Sequence, residues 1–133
     1  EKSDTNKYDI IVINDVLHHM YVSKERISLS EHFQDCSKMF SKLLNIASKE
    51  CKLIIGDVRN YGIVPLLKKI NAIDISVDYS TKQMPEEWEQ AAISGGWIPV
   101  FTKFYVPFRF KKYRKYVPEI FSDRYIIHLK NPS

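Results

Sequence analysis

The 133-residue sequence contains no apolar run near the roughly twenty residues that a membrane-crossing helix requires. The charged opening Glu1-Lys2-Ser3-Asp4 lacks the apolar segment of a secretory signal. Both absences favour a cytoplasmic protein. The first residue is not Met, which suggests processing, trimming or a larger parent. Four glycines and six prolines rule out collagen-like and flexible-linker compositions. The two cysteines, Cys36 and Cys51, are too few for a disulfide framework and match no zinc-site spacing. They are expected to be buried free thiols in a reducing compartment. No metal cluster or nucleophilic triad is legible. His18, His19 and His32 lack the carboxylate and imidazole spacing of a metal site.

What is present fits one globular domain: 44% hydrophobic residues, 13% aromatic, and enough length to bury roughly two-thirds of the extended surface. The net charge of +4 is uneven. Residues 1–96 carry 12 basic and 14 acidic side chains, and residues 97–133 carry 8 and 2. The basic end either solvates a surface or attracts an anionic partner. Its core, Arg109-Phe110-Lys111-Lys112-Tyr113-Arg114-Lys115-Tyr116, interleaves cations with rings. It could contact phosphates and bases, dock on an acidic neighbour or cap a site. No nucleic-acid-binding module surrounds it, so a small-molecule substrate is favoured over nucleic acid.

Hydrophobic periodicity orders the elements. Ile10-Ile11-Val12-Ile13 reads as a strand buried on both faces, in the middle of a parallel sheet. Ser28-x-x-Glu31 can form a capping box. Phe33, Cys36, Phe40, Leu43, Leu44 and Ala47 form the stripe of an amphipathic helix running to about Ala47. Lys52–Val58 reads as a second buried strand, and the intervening helix is long enough for a right-handed parallel crossover. Ile63–Ile73 reads as a short helix and Asp78–Gln83 as a loop or lid. Pro85-Glu86-Glu87-Trp88 opens a helix that should end by Gly95-Gly96. Trp97–Val106 and Tyr125–Leu129 read as the last two strands, joined by the basic, tyrosine-rich stretch from Phe108 to Phe121.

Polar side chains follow the first strand directly. Open α/β sheets place their chemistry beyond the carboxyl ends of their strands. Asp15 could accept a proton or orient an amine or hydroxyl, and Asn14 could donate and accept together; alternatively both cap the loop backbone. His18 and His19 need not face the same way, and either could act as a base near neutral pH or be structural. Gly56-Asp57-Val58-Arg59-Asn60 closes the second strand. There Gly56 allows close approach, and Asp57 and Arg59 either pair or leave Arg59 to hold a substrate anion. Tyr105 and Phe108 could line a pocket, with core packing as the alternative.

The element order together with Asn14-Asp15-Val16-Leu17-His18-His19 resembles strands four to seven of class I S-adenosylmethionine-dependent methyltransferases. Gly56–Asn60 is also similar to a strand of the N-methyltransferase domains embedded in peptide synthetases. The resemblance implies an α/β, Rossmann-like sheet, mainly parallel with an antiparallel C-terminal pair and incomplete in this chain. Residues 1–133 would be the C-terminal portion of the domain. It also implies S-adenosyl-L-methionine as cofactor, near Asn14, Asp15 and Leu17. Asp15, His18 and His19 would serve catalysis, and His19, Asp57, Arg59 and Tyr105 the substrate. Only seven residues precede the first strand, so the family's Gly-rich cofactor loop and its ribose and adenine acids have no counterpart here. The expected partner is therefore the N-terminal half of the same enzyme or another protein chain. A truncated scaffold for protein association is the alternative, and an unrelated small α/β binding domain is a third possibility.

Overall fold

Consecutive branched side chains favour extended backbone, and the two richest such runs pair side by side. The computed structural model describes residues 7–21, 32–59, 63–74, 82–105, 122 and 124–133. Strand β1 (Tyr8–Asn14) leads into a short helix, α1 (Leu17–Tyr21). Helix α2 (Phe33–Ile46) precedes strand β2 (Ala47–Val58), which lies parallel to β1. Then come α3 (Ile63–Lys69), α4 (Pro85–Ser94), β3 (Ile98–Tyr105) and β4 (Arg124–Lys130). The sheet order is β1-β2-β4-β3, with β4 antiparallel to both neighbours. Three strands thus run one way and β4 the other, with the parallel first pair that the intervening helix predicts and the antiparallel C-terminal pair that the resemblance implies.

One face of the sheet carries the core. Strand alternation turns Leu53 and Ile55 of β2 and Tyr125, Ile127 and Leu129 of β4 inward. Cys36 and Phe40 of α2, Trp88, Ala91 and Ala92 of α4, and Trp97 cover them. Phe33, Leu43 and Leu44 pack partly buried against this cluster, so the helical stripe read from the sequence is the one that faces the sheet. The two helices nearly touch at Gly95. A Cβ there would lie 2.7 Å from Phe40 Cβ and 2.8 Å from the Ser37 carbonyl oxygen. Gly95 itself has φ −77, whereas Gly96 at φ +101 makes the left-handed turn.

The structure corrects the expectation for β1. Ile11 and Ile13 are half-buried against the core, but Ile10 and Val12 are 57% and 62% exposed. Among the described residues β1 is an outermost strand, and α2 and α4 cover only the opposite face. A run of four apolar residues specifies what a strand can bury, not what lies beside it. Other boundaries move less. β2 begins at Ala47, where Tyr8 pairs with it across an irregular register. The Ile63–Ile73 helix ends at Lys69, and Asn71 takes a positive φ of 56. The capping box at Ser28–Glu31 lies outside the described residues. At α4, Pro85 and the acids of the first turn stand as expected, and Glu87 accepts the Met84 N–H at 3.0 Å. No described helix is long and apolar enough to cross a membrane.

Both cysteines are free and buried, Cys36 in α2 and Cys51 within β2. Burial pushes the Cys36 thiol up to about 12 and raises that of Cys51, where Asp9 adds to the effect. Only a thiolate reacts readily. Iodoacetamide at pH 8 should therefore label neither thiol in the folded protein within minutes, and both after urea unfolding. Rapid native labelling at either position, read by peptide mass, would contradict this packing.

Candidate functional site at the carboxyl ends of the parallel strands

The parallel pair ends in a tight junction. The chain leaves β1 through Asp15, whose φ of +53 is a conformation that Asn and Asp tolerate better than most residues. The Asp15 N–H donates to the Gly56 carbonyl at 2.9 Å, tying the ends of β1 and β2 together. Asn14 stands opposite Gly56 in the ladder, and its side-chain amide oxygen fills the space a Cβ at position 56 would need. The close approach expected of Gly56 is therefore to Asn14. Asn14 Nδ2 donates to Asp15 Oδ2 at 3.1 Å, and Arg124 Nη1 reaches the same oxygen at 3.4 Å. Both partners of the ion pair remain partly solvated, so it orients more than it stabilises.

On the core side of the same edge, α1 buries Leu17 within the hydrophobic cluster. His18 follows at 1% exposure and His19 is exposed, their ring centroids 4.1 Å apart. His18 Nδ1 lies 2.9 Å from Asp57 Oδ2, and Asp57, also 1% exposed, accepts the Val58 N–H on its other oxygen at 2.8 Å. A carboxylate only accepts hydrogen bonds, so the imidazole carries its proton on Nδ1 and donates. Lys82 Nζ lies 2.7 Å from His18 Nε2, nearer to it than to Nδ1 at 3.5 Å.

Further contacts surround this cluster. The Tyr125 hydroxyl donates to the Gln83 carbonyl at 3.2 Å. Burial, and next the Asp57 negative charge, raise the Tyr125 hydroxyl well above its ordinary value, so it stays a donor. Arg59 is almost fully buried, with its guanidinium 4.4 Å from the Phe104 ring centre, and Phe104 meets Tyr125 edge-on. Of the two alternatives for Asp57, the carboxylate is engaged by His18 and its own neighbouring amide.

The sheet edge divides the candidate residues. His18, Asp57 and Arg59 gather on the core side, and Asn14 and Asp15 lie toward Arg124 on the other. Tyr105 does not join the histidine cluster. It pairs with Arg124 in the ladder, while its neighbour Phe104 pairs with the inward-facing Tyr125, so strand alternation sends Tyr105 to the opposite face. Phe108 and the 109–116 tract lie outside the described residues. Lys82 and Tyr125 were not legible as site members. Lys82 reads as part of a polar loop and is 64 positions from His18 in sequence, and Tyr125 reads only as a strand residue. Among the described residues no three histidine, cysteine or acidic side chains converge as a metal site would require. A groove of about 410 Å³ lies at the far end of the sheet, beside Lys52, Lys130 and His128, away from these residues.

No protein-family model matches the chain, and no curated protein matches it. Among solved structures it is similar to the magnesium protoporphyrin IX methyltransferase (ChlM) from Synechocystis PCC 6803 with bound SAH. The TM-score is 0.53 at 17% identity, covering 95% of this chain and 46% of that one. The likeness supports a methyltransferase-like Rossmann fold, and the chain spans about half the length of the structure it matches.

Proposed function

We propose that this chain forms the C-terminal half of a methyltransferase site, acting in methyl transfer from S-adenosyl-L-methionine to a small-molecule or carrier-bound nucleophile. The observation that carries the reading is a coincidence of extent. Nearly the whole chain superposes on about half of a methyltransferase, and among the described residues nothing pairs with the outer edge of the strand that carries the candidate residues at its end, whose Ile10 and Val12 are exposed. An unpaired apolar edge is a surface proteins normally cover. The complementary half, in the same protein or another chain, would cover it and bring the cofactor-holding elements.

The residues at the β1 end fit a polar ligand in part. Asn14 is exposed and Asp15 half-exposed, so their amide and carboxylate are available to one. Leu17 is buried and supports α1 from beneath. The cofactor supplies an already activated methyl group, so the protein chiefly has to align the acceptor and exclude water. Asp15 would hydrogen-bond the cofactor and orient the acceptor beside it, and exposed His19 could take its proton. His18 lies buried behind His19, held by Asp57. Arg59 would contribute to the wall on the substrate side.

Native mass spectrometry of the protein from its source, followed by calorimetry with S-adenosylhomocysteine, tests this reading. The expected result is a longer parent or a second chain of similar length, cofactor binding by that assembly, and at least tenfold weaker binding in Asp15→Ala, the roughly 1.4 kcal/mol of one charge-assisted hydrogen bond. A complete assembly that binds no S-adenosylhomocysteine would sink it. A stable cofactor-free homodimer joined through β1 would favour the scaffold reading instead, because the same bare edge can pair with a second copy.

A further inference from the structure

The sheet has a second face, and its far end lies away from the candidate site. Leu53 and Leu129 stand opposite each other in the β2–β4 ladder, and both face the core. Strand alternation therefore turns the adjacent row, Lys52 opposite Lys130, onto the other face. Both side chains are exposed. Directly opposed side chains in an antiparallel pair stand roughly 5 Å apart at Cβ, where like charges repel. Among the described residues neither ammonium meets a carboxylate in an ion pair. The register thus fixes two cations side by side without a counter-ion.

These two lysines line the groove of about 410 Å³, together with Lys49 and one carboxylate, Glu50. Three cations against one anion leave a surplus of positive charge there. His128, the next β4 residue on the same face, lines the groove as well. Its Nε2 is buried without a hydrogen-bond partner, and Phe101 meets its ring edge-on at 5.0 Å. The ring therefore has hydrogen-bonding capacity that the protein does not use, which in folded proteins calls for an explanation such as an ion or ligand. The exposed side chains of Ile98 and Val100 give the groove an apolar wall.

We propose that this groove binds a small organic phosphate monoester, its phosphate between Lys52 and Lys130 and its apolar part against Ile98 and Val100. The site is separate from the one assigned to methyl transfer, and the proposal does not depend on that reading. A phosphate monoester carries about −1.5 to −2 charge at neutral pH, enough to balance two ammonium groups, whereas a carboxylate supplies only one charge. Lysine holds phosphate as a point charge and needs no fork geometry. The volume falls within the roughly 300–1,000 Å³ of small-ligand sites. Binding also relieves the repulsion across the lysine row. A ligand taken up only by the folded chain then raises its stability.

Titration of the protein, with any copurifying partner, by phenyl phosphate at constant ionic strength tests the proposal. Amide and imidazole NMR signals of Lys52, His128 and Lys130 should shift saturably, with a dissociation constant of about 1 mM or lower. Inorganic phosphate should bind roughly fivefold more weakly, because it buries no apolar surface. Lys52→Gln with Lys130→Gln should weaken phenyl phosphate at least about tenfold. Lys38→Gln with Lys42→Gln removes the same charge from α2 and should leave binding unchanged. In parallel, phenyl phosphate should raise the urea midpoint of wild type and of the α2 variant, but not of the groove variant. No saturable shift, or an equal loss in the α2 variant, would overturn the proposal. Equal affinity for inorganic phosphate would overturn the assignment to an organic ester. Phosphatidic acid in phosphatidylcholine vesicles presents the same monoester on a lipid surface. Binding to those vesicles without binding of phenyl phosphate would overturn the assignment to a free small molecule. Failure here leaves the S-adenosylhomocysteine experiment untouched, and failure there leaves this one.

Discussion

Replacing Trp97 by alanine should lower the unfolding free energy by about 3–5 kcal/mol, the range for removing a large aromatic side chain from a core. Trp97 follows the Gly96 turn and is almost fully buried beside α2 and α4. Its Nε1–H donates to the Phe40 carbonyl at 2.9 Å, linking the strand entrance to the middle of α2. Alanine removes the apolar burial, leaves a cavity and deletes that hydrogen bond. Trp97→Phe keeps most of the volume and loses the hydrogen bond, so it should cost only about 1–2 kcal/mol. Urea unfolding measures both. The midpoint should fall in that order with little change in slope, because a core truncation changes stability more than the surface exposed. A loss under about 1 kcal/mol for Trp97→Ala would mean that the indole does not fill this core.

The Trp97 turn also shows why parts of this fold were legible in advance. The α2 stripe, the acidic opening of α4, the double glycine after it and the branched strands are local patterns, and local physics sets them. The parallel crossover follows from the length of the intervening helix. Exposure of β1 could not be read that way, because it depends on which elements lie beside the strand. The early start of β2 has a similar cause. Ala47-Ser48-Lys49-Glu50 has little strand character, but Ser48 bonds Asp9 at 2.6 Å and its carbonyl accepts from Asn131 at 2.7 Å. Neighbours on both sides extend the strand beyond its own propensity.

The site follows the same division. Asn14, Asp15, His18, His19, Asp57 and Arg59 stand near the carboxyl ends of the strands because the strand pattern ends where they begin. Which face each takes is a matter of parity and of the turn at Asp15, and sequence spacing alone did not resolve it. Parity separates Tyr105 from the cluster, and chain return brings Lys82 into it.

Asp57→Leu should cost about 3–5 kcal/mol, the penalty for removing one member of a buried polar pair. The substitution leaves the His18 Nδ1–H and the Val58 N–H without their acceptor. Asp57→Asn keeps an oxygen for one of the two donors, the Val58 N–H or His18 Nδ1–H, and should cost less, about 1–2 kcal/mol. The double variant His18→Leu with Asp57→Leu should lose less than the sum of the single variants, because apolar side chains replace both partners together. Alkaline unfolding adds an independent reading. With the Tyr125 hydroxyl raised in the folded state, the unfolded chain ionises first, and the stability this group contributes is lost as pH rises above about 10. Asp57 is the second cause of that rise after burial, so removing it should make the alkaline decline shallower. Should Asp57→Leu lose under about 1 kcal/mol and leave the alkaline limb unchanged, the carboxylate does not sit beside His18 and Tyr125.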